Sequence, residues 1–255
     1  MANYKKRGYK PKTKVDKQAA IENESTTAEV FKSLDEGASK TEQWVIKNQR
    51  NIFIVVGLVA VIVLGSLAYN KFIQEPKESN AMNDMFKAQQ YFEQALTATD
   101  KDSLFNLSLN GGEGKYGMLD IVSEYGGTDA GNLASYYAGM AYLNMNNYEN
   151  AIKYLSDFSS DDEVLGPLAT GGIGDAFVQL NQPEDGLEYY EKAIAMKTND
   201  FTTPLYLYKA GTLALQLEKN DKALQYFLRI KDEFSKSKEA TNIDVFIGKA
   251  QAASN

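Results

Sequence analysis

The chain has 255 residues, a net charge of -7, and neither cysteine nor histidine. Without thiols there are no disulfides, thiolate nucleophiles or iron–sulfur clusters, and without imidazoles there is no Ser-His-Asp machinery and no ordinary zinc site. Carboxylate chemistry is not excluded by the composition, and the lack of Cys suits a reducing compartment and a periplasm equally.

The charge is unevenly placed. Residues 1–50 carry 11 Lys and Arg against 7 Asp and Glu, residues 51–70 carry no charge, and residues 71–255 carry 16 against 27, so that +4 and -11 make up the whole. The first segment, 1–24, opens with MANYKKRGYKPKTKVDK and shows no apolar periodicity. It is expected to be a disordered basic tail. Its charge serves either to set topology or to touch anionic lipid or ribosomal RNA. Over 25–50 the recurrence of Val30, Leu34, Ala38, Thr41 and Val45 predicts a juxtamembrane helix capped by Ser25 or Thr26.

Residues 51–71 begin NIFIVVGLVAVIVLGSLAYN, and Ile52 to Tyr69 is an uninterrupted uncharged run. Its length suits a transmembrane helix, and Trp44 and Tyr69 stand near its two ends as interface aromatics. Lys47, Arg50 and the basic tail place the N-terminus on the cytoplasmic side by the positive-inside rule. Ser66-Leu67-Ala68 resembles a signal-peptidase site, but about fifty residues precede the apolar run, which favours an uncleaved anchor. Gly57, Gly65 and Ser66 are small residues that could dock against another membrane helix.

From residue 78 to 253 the pattern is helical. Met82, Met85, Phe86, Tyr91, Phe92 and Leu96 lie along a helix over 81–99, and a second helix is predicted over 114–125 after a long turn near Asn110-Gly111-Gly112. Three self-similar stretches follow, over 132–163, 167–198 and 204–237. Gly139, Gly174 and Gly211 align, as do Ala151, Gly186 and Ala223, and Leu155, Tyr190 and Phe227. A small residue on the first helix of each pair admits the large residue of the second. Tyr142, Phe177 and Ala214 follow three residues after each glycine, and turns are expected at Asn146-Asn147, Asn181-Gln182 and Lys219-Asn220. Ile243, Phe246, Ile247 and Ala250 define a last helix that covers the open end.

With these residues on the page, 132–235 resembles the tetratricopeptide repeat, a helix pair of about 34 residues. Three departures stand out: Gly186 for the usual Ala, Ala214 for the usual Tyr, and Glu163, Thr198 and Ser235 where prolines close the repeat. The fold class that follows is all-α, a single N-terminal transmembrane helix and then a tetratricopeptide α-solenoid. The span at 52–69, YFEQAL at 91–96 and EYGGTDAGNLASYYAG from Glu124 to Gly139 together resemble the YfgM-like ancillary subunits of the bacterial Sec translocon. That resemblance implies an inner-membrane protein with a periplasmic repeat domain, associated with SecYEG and with a membrane-anchored periplasmic chaperone.

Such solenoids bind partners on the face made by the first helix of each pair. In register, that face presents Tyr136, Met140 and Leu143 from the first clear repeat, Asp175 and Gln179 from the second, and Tyr208 and Thr212 from the third. It lacks the Lys and Asn pattern that clamps a C-terminal carboxylate. Its apolar, aromatic and amide character suits weakly specific extended chains, or else these side chains are core between repeats. The acidic surface disfavours nucleic acid for this domain. Asp157, Asp161, Asp162 and Glu163 match no calcium-loop spacing and read as a solvated turn. No catalytic residue, cofactor or metal is expected.

Overall fold

The computed structural model describes residues 14–254, with side chains from residue 41 onward together with Val30 and Ser39. The basic run expected to be disordered therefore lies outside the described residues up to residue 13. The chain divides after Tyr69 into two units.

The first unit is one helix, α1, Lys14–Tyr69. It begins well before residue 25, so residues 14–24 are helical rather than disordered. The reason lies in KVDKQAAIENE, which has neither Gly nor Pro and is rich in Ala, Gln, Glu and Lys, all strong helix formers. Its C-terminal stretch is long and apolar enough to cross a membrane, and none of that stretch is buried within the protein. Gly57 and Gly65 face open space, with no heavy atom within 4 Å of where a Cβ would stand.

The second unit starts with a π-helical turn, Asn70–Gln74, followed by α2, Glu75–Ala95. Here the structure corrects the expected layout of two helices around one long turn. A separate helix α3, Lys101–Asn110, stands between α2 and the short α4, Met118–Glu124. Asp100 caps α3 by accepting from the Ser103 N–H, and Phe105 and Leu109 are fully buried one turn apart. The α3–α4 loop is tight because Gly111 has a φ of 79° and a Cβ there would strike the Lys115 carbonyl.

Three antiparallel pairs follow: α5, Asp129–Asn144, with α6, Tyr148–Asp157; α7, Leu165–Gln179, with α8, Pro183–Met196; and α9, Thr202–Gln216, with α10, Asn220–Glu233. The aligned glycines do what their spacing implies. A Cβ on Gly139 would lie 2.6 Å from Leu155, on Gly174 2.8 Å from Tyr190, and on Gly211 2.5 Å from Phe227. Gly186 departs from Ala for a local reason, since a Cβ there would stand 2.5 Å from Val178 Cγ2. The lost aromatic at Ala214 also has a counterpart. Tyr142 stacks on Tyr154 and Phe177 on Tyr189, whereas the equivalent Tyr226, facing Ala214, sends its hydroxyl to Glu191 at 2.5 Å.

The turns within pairs repeat as well. Asn146, Asn181 and Glu218 all adopt positive φ, near 60°. The next residue then donates back to Tyr142, Phe177 and Ala214 carbonyls respectively, which closes each helix with a Schellman-type bond. The third turn thus centres on Glu218, one residue before the expected Lys219-Asn220. Asparagines replace the missing prolines at the linkers between pairs. Asn132 exchanges hydrogen bonds with the Ser159 backbone, and Asn199 donates to the Glu163 carbonyl at 2.7 Å. Asp162 caps α7 by accepting from Val164 and Leu165, which holds its carboxyl below the usual range. Helix α11, Ile243–Ala253, covers the end with Ile243, Ile247 and Ala250 buried. Among the described residues no strand forms.

Candidate partner-binding seam

The first helices of successive pairs, α5, α7 and α9, adjoin one another in two seams. The seven residues expected to form the binding face divide between them. In the α5–α7 seam, Tyr136 is only 8% exposed and packs with Leu155, Ala169 and Ile173. Its ring centroid lies 5.3 Å from that of Phe158, and burial pushes its phenol up to about 12. Met140 belongs to the same cluster, and the Met140 sulfur and Leu143 Cδ2 each lie 3.6 Å from the site of a Cβ on Gly172. Tyr136 is therefore core, and Met140 and Leu143 are half-buried fillers of the seam. Asn144 and Gln179 are exposed at the helix ends, with the Asn144 amide turned back onto the Met140 carbonyl.

The α7–α9 seam differs. Asp175 is the only charged residue of α7, and Lys209 is the only one of α9. They meet across the seam, with Lys209 Nζ 2.7 Å from both carboxylate oxygens. Tyr190 of α8 donates to the same carboxylate at 2.6 Å. Each charged side chain is about one-third exposed, so solvent only partly screens the pair. Burial, followed by the Asp175 charge, raises the pKa of both Tyr190 and Tyr206 strongly. Tyr206 fills the space over Gly171, where a Cβ would fall 1.9 Å from the ring. Tyr190 and Tyr206 stack with centroids 5.9 Å apart, and Lys209 Nζ lies 5.8 and 5.6 Å from them.

Tyr208 occupies the register position of Tyr136, and its ring likewise turns towards its own second helix and the element that follows, at 6.4 Å from Phe227 and 5.1 Å from Phe246. Beside it lies a cavity of 220 Å³ lined by Val178, Tyr190, Tyr208, Lys209, Thr212, Leu213 and Gln216. Thr212 donates to its own helix at the Tyr208 carbonyl, so its hydroxyl oxygen keeps only acceptor capacity. Lys209 is already neutralised by Asp175, which leaves no free cation for a terminal carboxylate. The floor is aliphatic, the walls are tyrosine, and Gln216 stands exposed at the rim.

Asp175, Tyr208 and Thr212 are thus brought together, while Tyr136, Met140 and Leu143 lie in the other seam. Lys209 and Tyr190 belong to the site and were not anticipated. Lys209 had a signal in the sequence, as one lone base on an otherwise uncharged helix facing the lone acid Asp175, whereas Tyr190 on the charged helix α8 had none. Among the described residues, no cluster of three or more Asp or Glu side chains is placed to hold a metal ion.

The family model for the tetratricopeptide repeat matches residues 136–200 and, overlapping them, 172–238. No curated protein and no solved structure matches the chain. The chain therefore carries tetratricopeptide repeats in an all-helical fold, with one N-terminal helix apolar enough to span a membrane. Such repeats are protein-interaction modules, so the chain is read as an adaptor or scaffold with protein partners.

Proposed function

We propose that the chain is a non-enzymatic, membrane-anchored adaptor whose α7–α9 seam captures an apolar side chain of an extended polypeptide. The cavity beside Tyr208 carries this reading. Its volume admits one large aliphatic or aromatic side chain, and its aliphatic floor with a polar rim is the makeup expected of a peptide anchor pocket. Val178, Leu213 and the tyrosine rings supply dispersion, and Gln216 and Thr212 offer hydrogen bonds to a passing backbone without demanding a charge.

The charge asymmetry supports a cytoplasmic N-terminus and a periplasmic repeat domain in the inner membrane. The resemblance of 52–69, 91–96 and 124–139 to YfgM-like proteins supports SecYEG and a periplasmic chaperone as the partners, with newly emerged chains as clients. A second reading, from the same anchor and seam, is a scaffold for another cell-envelope complex. Two measurements test the proposal. Affinity purification of the full chain from membranes in mild detergent, with mass spectrometry, should recover partners that a cavity-filling Thr212→Trp variant loses. A photo-crosslinker at Gly57 or Gly65 should yield SecY adducts; adducts with another machine instead would select the second reading, and unchanged recovery by Thr212→Trp would remove the seam from the mechanism.

A further inference from the structure

The first turn of the second unit carries two large apolar side chains that are left uncovered. Phe72 is 78% exposed and Ile73 is 53% exposed. Both lie in the π-helical turn Asn70–Gln74, a type of turn that recurs at functional sites. Gln74 donates to the Gly127 carbonyl at 3.0 Å. One turn on, Lys77 donates to the Gly126 carbonyl, and Glu78 accepts from the Asp129 and Ala130 N–H groups at 2.8 Å each. Glu78 thereby caps the start of α5. Phe72 and Ile73 fall between these bonded residues and the apolar run that ends at Tyr69.

That run is short for its task. Eighteen helical residues from Ile52 to Tyr69 rise about 27 Å, against a hydrocarbon core of about 30 Å. Lys71 interrupts the apolar sequence but is paired with Glu75 at 2.7 Å. That pairing leaves the turn without net charge, and the lysine stem can lie along an interface. The repeat unit and its link carry a net charge of -11, so anionic lipid repels them and only apolar contact can hold them at a bilayer.

We infer that Phe72 and Ile73 insert into the lipid interface, extending the span to the first turn of the repeat unit and holding that unit at the bilayer surface. This rests on the membrane-anchor reading. The partner is the bilayer itself, reached through apolar burial and not through charge.

The chain has a single tryptophan, Trp44, which makes a clean spectroscopic test possible. In a Trp44→Phe background, the full chain is reconstituted into phosphatidylcholine vesicles with brominated acyl chains, carrying one of three substitutions: Leu64→Trp, Phe72→Trp or Phe201→Trp. Helical circular dichroism confirms that each is folded. The inference predicts quenched, blue-shifted emission from the Leu64 and Phe72 sites, no quenching from the exposed Phe201 site, and no change on raising the salt. Quenching at Leu64 without quenching at Phe72 overturns the inference and leaves the anchor standing. No quenching at Leu64 overturns the anchor itself, and the inference with it.

Discussion

The α5–α7 and α7–α9 seams start from the same register and end differently. The position three residues before the aligned glycine on the leading helix is Tyr136 in the first seam and Gly171 in the second. Tyr136 is driven into the seam, where Ala169, Ile173 and Phe158 receive it. In the second seam Gly171 leaves that volume to Tyr206 of α9, and Tyr208 packs on Phe227 and Phe246 as Tyr136 does on Leu155 and α7. The first seam is closed by apolar packing. The second is held by a tyrosine stack and an ion pair and keeps a cavity. A repeat pattern therefore fixes where helices pack, and the residues facing each position decide whether a seam is core or a site.

The comparison can be broken most strongly at Tyr136. Tyr136→Ala should cost about 3 kcal/mol in urea unfolding, as for other buried aromatics; a cost under about 1 kcal/mol would mean the first seam is not core. Gly171→Ala forces a methyl into the Tyr206 ring and should cost about 2 kcal/mol. Adding Tyr206→Ala should remove most of that extra cost, because the two positions share one volume; simple additivity would show that they do not meet.

The polar bolt gives the next effect. Lys209→Met alone should cost about 1 kcal/mol by leaving Asp175 partly buried without its cation. Lys209→Met together with Asp175→Leu should approach neutrality, because an apolar pair can replace a partly buried ion pair. The phenols predict a pH dependence confined to the alkaline side. Tyr190 and Tyr206 have folded pKa values above their ordinary one near 10. Below about pH 10 both folded and unfolded phenols keep their protons, and this contribution is fully present. As pH rises further, the unfolded chain ionises first, and stability falls until the folded phenols ionise too. Tyrosinate absorbance followed alongside circular dichroism should show ionisation and unfolding together. The smallest expected effect is a gain: Glu218→Asn, which eases a positive φ of 57°, should stabilise by about 0.5 kcal/mol in thermal unfolding.

Much of the fold was legible because it rests on fixed offsets. Gly139, Gly174 and Gly211 with their large partners Leu155, Tyr190 and Phe227 are a packing rule written in sequence, and the uncharged run at 52–69 is equally direct. Helix α3 was missed because ten residues with Lys, Asp, Asn and two Ser give weak periodicity, although Asp100 and the Phe105–Leu109 pair mark it. The early start of α1 was missed because charge obscured good helix propensity between Lys14 and Glu24. The site was half legible: Asp175, Tyr208 and Thr212 stood in the right register. What was not legible was that Tyr206 of the next helix would fill the volume over Gly171, the position that Tyr136 holds in the first seam.

The most direct test of the central contrast places a photo-crosslinking residue at Gln216, at the rim of the open seam, and at its register equivalent Asn144 beside the closed one. In the full chain in native membranes, Gln216 should give polypeptide adducts that Thr212→Trp abolishes, while Asn144 should give few and be indifferent to that substitution. Equal adducts from both positions, unaffected by filling the cavity, would contradict the assignment of binding to the α7–α9 seam.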